Sequence, residues 1–115
     1  MSGRYNMVCD QGSTFSLVFT IKTDGTAWSL VGNYTGKMQV RSFLNASTVL
    51  IELNTTNSRI SFSAGGTVTL TLTATDTTAL PAGRHTYDLE LTQTSTGVVT
   101  RVLEGKFVVR GEVTR

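Results

Sequence analysis

The chain has 115 residues, enough for one hydrophobic core and not two, with 39% hydrophobic and 16% charged residues. Its net charge of +2 is spread over single Lys and Arg residues with no basic run, which argues against nucleic-acid binding, and no apolar stretch is long enough to span a membrane. The single cysteine, Cys9, excludes an internal disulfide and a paired-thiolate metal site, and its expected role is a small apolar residue.

Hydroxyl side chains dominate the polar set, with 21 Thr and 10 Ser. The branched Cβ of Thr fits a pleated surface. Thr also covers a surface without charge and loses less rotamer entropy than Lys or Arg when that surface is buried. A Thr-rich, charge-poor face is therefore suited to packing against another protein. An ordinary solvated β-surface is the plainer reading.

In chain order, Arg4 to Gln11 is polar and reads as an N-terminal arm (residues 1–11) or a first edge strand. The first ten residues lack an apolar core of the export-signal kind, so assembly in a cytoplasm is expected. Phe15, Leu17, Phe19 and Ile21 alternate with Ser16, Val18, Thr20 and Lys22, the period of a strand with one buried face. Asp24-Gly25 then predicts a tight hairpin, because Gly accepts the positive φ such a turn needs. Ala27 to Leu30 is the expected return strand, anchored by Trp28.

A third strand is predicted over Thr35 to Phe43, with Met38 and Val40 inward. Val49 to Leu53 is a short apolar run and another strand, and Ile60 and Phe62 belong to a further short one. Thr67 to Ala74 has the clearest alternation: Val68, Leu70, Leu72 and Ala74 against Thr67, Thr69, Thr71 and Thr73. One helical turn is expected over Thr75 to Leu80, capped by Thr75 with Asp76 in its first turn, and ended by Pro81 and Gly83.

Two long strands close the chain. His85, Tyr87, Leu89 and Leu91 alternate with Thr86, Asp88, Glu90 and Thr92, and Gln93 to Gly97 forms the turn into a strand interrupted by Gly105. Gly105 predicts a bulge or bend there. Tyr87 is expected in the core or bonded to a corner of the backbone, as in immunoglobulin-like sandwiches. Short strands at this spacing predict an all-β fold over residues 1–115: an immunoglobulin-like antiparallel β-sandwich with one short helical turn. Phe15, Phe19, Leu70, Leu72, Leu89 and Leu91 are its predicted core.

No catalytic, cofactor-binding or metal site is predicted. His85 is the only histidine and falls on the inward side of its strand. Asp88 and Glu90 share a strand face, as a pair of glycosidase carboxylates might be imagined to, but no polar cleft cluster or aromatic platform accompanies them. A solvated face with a salt bridge to Arg101 is the expected arrangement. Gly12-Ser13 lacks a nucleophile elbow, and Gly65-Gly66 lacks the Lys and the helix of a phosphate loop. Trp28, Tyr34 and Tyr87 are the aromatic candidates for carbohydrate binding, each more readily placed in the core or at a corner. The sequons at Asn33, Asn45 and Asn54 are chance features of a Thr-rich chain.

Four segments form a set: Ala27 to Arg41 (AWSLVGNYTGKMQVR), Leu80 to Gly83 (LPAG), Tyr87 to Leu91 (YDLEL) and Thr100 to Val109 (TRVLEGKFVV). In order and spacing the chain resembles small immunoglobulin-like β-sandwich proteins of tailed bacteriophages, including the N-terminal domain of upper baseplate (BppU-type) proteins. The opening Tyr5 to Gly12 and the ending Val113 to Arg115 are similar to stand-alone versions in phages of cyanobacteria and other marine bacteria. Asn33 is one residue more than the pattern has between Gly32 and Tyr34. The resemblance implies a virion structural protein that docks on the tail or baseplate as a joint or adaptor. A capsid cement or decoration protein and a host-polysaccharide-binding module are the alternatives. Its implied partners are other phage structural proteins in symmetric multiple copies, with no cofactor, nucleic acid or membrane, and its implied location is the virion.

Overall fold

The computed structural model describes residues 3–112. Its strands are β1 (Gly3–Arg4), β2 (Met7–Asp10), β3 (Phe15–Thr20), β4 (Lys22–Thr23), β5 (Thr26–Ala27), β6 (Tyr34–Arg41), β7 (Ile51–Asn54), β8 (Ile60–Ser63), β9 (Thr67–Leu72), β10 (Gly83–Gln93) and β11 (Val99–Arg110). One helix, α1 (Ala74–Thr78), lies between β9 and β10. The larger sheet runs β1-β11-β10-β6-β7, with β2 also on β11, and the smaller runs β3-β9-β8. The fold is an immunoglobulin-like β-sandwich, antiparallel except where β1 and β2 run parallel to β11.

Alternation decides which side of each strand is buried. Val68, Leu70 and Leu72 of β9 face Met38 and Val40 of β6 and Leu89 and Leu91 of β10 across a shared core, all fully buried. Phe15 and Tyr87 each meet the Phe107 ring edge-on, at centroid distances of 5.6 and 6.5 Å. The Asp-Gly hairpin forms between β4 and β5 with φ of 52° at Asp24 and 79° at Gly25. The return strand is Thr26–Ala27, shorter than Ala27 to Leu30: the Trp28 N–H still meets the Ile21 carbonyl in register, but the Ile21 N–H goes to the Gly66 carbonyl instead of completing the pair.

One open alternative is decided and three expectations are corrected. Residues 3–10 are an edge strand and not a projecting arm: Met7 and Cys9 are buried in the core, and β2 pairs with β11 from Met7↔Phe107 to Asp10↔Arg110. The helix is capped by Thr73, not Thr75. The Thr73 hydroxyl accepts the Asp76 N–H while the Asp76 carboxylate accepts the Thr73 N–H, a reciprocal box two residues earlier. The register shift in β11 lies at Val102, between Leu89↔Leu103 and Glu90↔Arg101, whereas Gly105 pairs regularly with Tyr87. Phe19 is half-buried because β3 is the outer strand of the small sheet.

Gly105 has a different task. A Cβ there would collide with the Tyr5 carbonyl oxygen. That oxygen lies over the bare glycine and accepts the Tyr87 hydroxyl at 2.6 Å. The side-chain oxygen of Asn6 accepts the Lys106 N–H beside it. Tyr87 is thus a core residue, as expected, but it ties down the first strand and not the corner at Leu80 to Gly83.

Candidate docking surface

The outer faces of the two sheets differ in chemistry. On the large sheet, Asp88, Arg101, Glu104 and Arg4 form a chain of ion pairs at 3.4–3.6 Å, all partly exposed. Arg41 and Gln39 continue the polar lattice to Glu52, whose carboxyl is held below its usual range by hydrogen bonds from Gln39 and Asn54. Of the two carboxylates expected on this face, Asp88 makes the salt bridge to Arg101. Beside it, Phe43 and Leu44 are exposed at the rim of a shallow hollow lined also by Lys37 and Arg41.

The small sheet carries no charge on its outer face. In register across it, Ser16 lies beside Thr71, Val18 beside Thr69 and Ser61, and Thr20 beside Thr67 and Ser63. Their strand neighbours Phe15, Leu70, Leu72 and Ile60 are buried, so period two sends these hydroxyls outward. Charges border the face: Arg59 is bonded to Asp76 and to the Glu52 carbonyl, and Lys22 stands at the end of the hairpin. Seven of the Thr and Ser side chains, Ser16, Thr20, Ser61, Ser63, Thr67, Thr69 and Thr71, gather on this uncharged face.

One margin of this face is an open strand edge. β3 pairs with β9 alone. The Ile21 N–H bonds to the Gly66 carbonyl, which with the β3–β9 register directs the N–H and C=O groups of Phe15, Leu17 and Phe19 to β9. Those of Ser16, Val18 and Thr20 point away from it, and no backbone bond fills them among the described residues. Val18 itself is 60% exposed. Below this edge the two sheets part, leaving a hollow of about 380 Å³ between Gly3–Tyr5 and Leu17–Thr20 with Leu103 at its base. Sequence periodicity identified β3 and its faces but carried no signal that this strand ends the sheet.

The remaining candidates are structural. The Nε2–H of His85 donates to the Pro81 carbonyl at 2.7 Å, and its buried Nδ1 has no partner among the described residues. Burial, then the neighbouring Asp10, pushes the Cys9 thiol up to about 11. Burial likewise raises the Tyr87 hydroxyl, which stays protonated as a donor. Trp28 packs on Tyr34 at 5.4 Å and donates to the Thr23 hydroxyl, while Tyr87 lies in the core, so the three aromatics share no platform. Among the described residues no three His, Cys, Asp or Glu side chains gather in a metal-binding group. Val113 to Arg115, the ending that carries part of the resemblance to stand-alone phage versions, lie outside the described residues.

No protein-family model and no curated protein sequence matches the chain. Two solved structures are similar to it. The NK cell receptor Nkp44, a triggering partner in natural cytotoxicity, is 18% identical with a TM-score of 0.52, covering 94% of this chain and 99% of that one. CopC from Methylosinus trichosporium OB3b is 9% identical with a TM-score of 0.47, covering 95% and 89%. The first likeness shows the immunoglobulin-like fold and nothing beyond it.

Proposed function

We propose that this chain is a structural protein of a tailed-bacteriophage virion, a small sandwich that docks on the tail or baseplate as a joint or adaptor and performs no catalysis. The observation that carries the reading is the uncharged hydroxyl face of the small sheet. Interfaces are depleted of charge at their centres, and a Ser/Thr surface is buried at low entropic cost. The likeness of the segments from Ala27 to Val109 to phage sandwich domains supplies the kind of assembly. Repetition by symmetry then lets modest single contacts sum.

The test is an antibody to the purified chain, applied to virions from a producing host and read by immunogold electron microscopy. Label at the tail tip or baseplate, in several copies per particle, is expected. Label on the head moves the attachment point to the capsid. Its absence from purified particles overturns the reading. A glycan array run with the same protein separates docking from binding of host polysaccharide, for which no binding is expected.

A further inference from the structure

We propose that the free edge of β3 is a self-association site, taken by β3 of a second copy in antiparallel register about Val18. Nothing in this depends on the virion role. Natural edge strands are normally blunted by Lys, Pro, a bulge or very short length. The segment Phe15–Ile21 has none of these devices, and it is apolar and hydroxylic throughout.

The pairing is self-complementary at every position. A two-fold axis at Val18 sets Val18 against its own copy, Ser16 against Thr20, and Leu17 against Phe19. Each free N–H and C=O of Ser16, Val18 and Thr20 then meets its counterpart, because these are the residues whose backbone groups point away from β9. Hydroxyls meet hydroxyls on the outer face. On the inner face, the half-buried Leu17 and Phe19 cover one another at the mouth of the hollow.

Charge complements the ends. The same register sets Lys22 of one copy opposite Thr14 of the other. Thr14 and Asp10 line one hollow, so the ammonium arrives beside the Asp10 carboxylate. Among the described residues Lys22 has no acidic partner, and the Asp10 carboxylate makes an exposed ion pair with Arg110 at 3.4 Å. The product is one continuous small sheet spanning two sandwiches. A single strand pair lies at the low end of interface sizes, so dissociation in the range of about 1–100 μM is expected.

Sedimentation equilibrium of the full chain from about 0.5 to 500 μM, the span needed to bracket such an affinity, reads the outcome directly. The expected wild-type mass rises from 12.4 kDa toward twice that. Val18→Lys is expected to stay at the monomer mass with an unchanged circular dichroism spectrum. Thr69→Lys, on the same face but the central strand, is expected to dimerise like wild type. Lys22→Asp and Asp10→Lys are each expected to weaken association, and the double variant to restore it. A wild type that remains monomeric throughout overturns the proposal. So does loss of association in Thr69→Lys as well as Val18→Lys, which would indicate face-to-face packing. If the Val18 variant does not fold, the charge exchange decides, and failure of the double variant to restore association overturns the proposed register.

Discussion

Gly105 and Tyr87 act as a single device. Between β1 and β2 the opening segment runs so close alongside β11 that its Tyr5 carbonyl occupies the space a side chain at 105 would need, and the Tyr87 hydroxyl closes the contact from the core. Gly105→Ala must push that carbonyl away, with an expected cost of about 1–3 kcal/mol, as for an overpacked core. Urea unfolding measures it, and a loss under about 0.5 kcal/mol, the usual scatter of surface substitutions, would show that the strand slides aside freely. Cys9 gives a second residue-scale test. Its thiol is buried and pushed up to about 11, so thiolate is scarce at pH 8. An aromatic disulfide reagent is expected to leave the native protein unmodified and to react at once in denaturant. Fast reaction in the folded state would mean that β2 detaches readily from β11.

Among the elements, α1 shows how a short helix is held by its ends. It is a single turn, with Thr77 buried beneath it donating to the Ser13 carbonyl, and the Thr73–Asp76 box at its start. Thr73→Ala is expected to cost about 1 kcal/mol, the usual value of an N-cap. The Asp76 carboxyl is held below its ordinary range, first by the Thr73 N–H and then by Arg59. A carboxyl lowered by folding contributes stability that is fully present above its unfolded pKa. That contribution is lost as pH falls through the lowered folded value. Asp76→Asn is therefore expected to be less stable than wild type at neutral pH and to converge on it in acid. A constant gap between the two melting curves at all pH values would contradict the assignment.

At the scale of the whole molecule, the first strand is part of the core. Deleting residues 1–10 removes Met7 and Cys9 from it, strips one edge of the large sheet and leaves the Tyr87 hydroxyl without its acceptor. The truncated chain is expected to lose cooperative thermal unfolding; an unchanged melting temperature would restore the view of this segment as an arm. At the centre, Leu72 is completely buried between the sheets. Leu72→Ala is expected to cost about 2–5 kcal/mol, with a value below about 1 kcal/mol indicating that the layers close over the cavity.

Much of this was legible in the amino-acid order. Thr67 to Leu72 and His85 to Leu91 declare their buried sides by period two, and Asp24-Gly25 declares its turn, because each depends only on neighbours a few residues apart. The salt-bridged face around Asp88 and Arg101 followed from the same alternation on two strands joined by one turn. The helix cap was written as Thr-x-x-Asp at Thr73, although Thr75 carries similar chemistry and only geometry separated them. Three features had no local signature: the parallel seat of β1 and β2 on β11, the use of Gly105 to admit the Tyr5 carbonyl, and the position of β3 at the end of its sheet. Each rests on which distant strand lies alongside, and alternation specifies the faces of a strand but not its neighbours. The hydroxyl side chains were therefore visible from the start, whereas the gathering of seven of them on one uncharged face with an open edge was decided only when the strands packed.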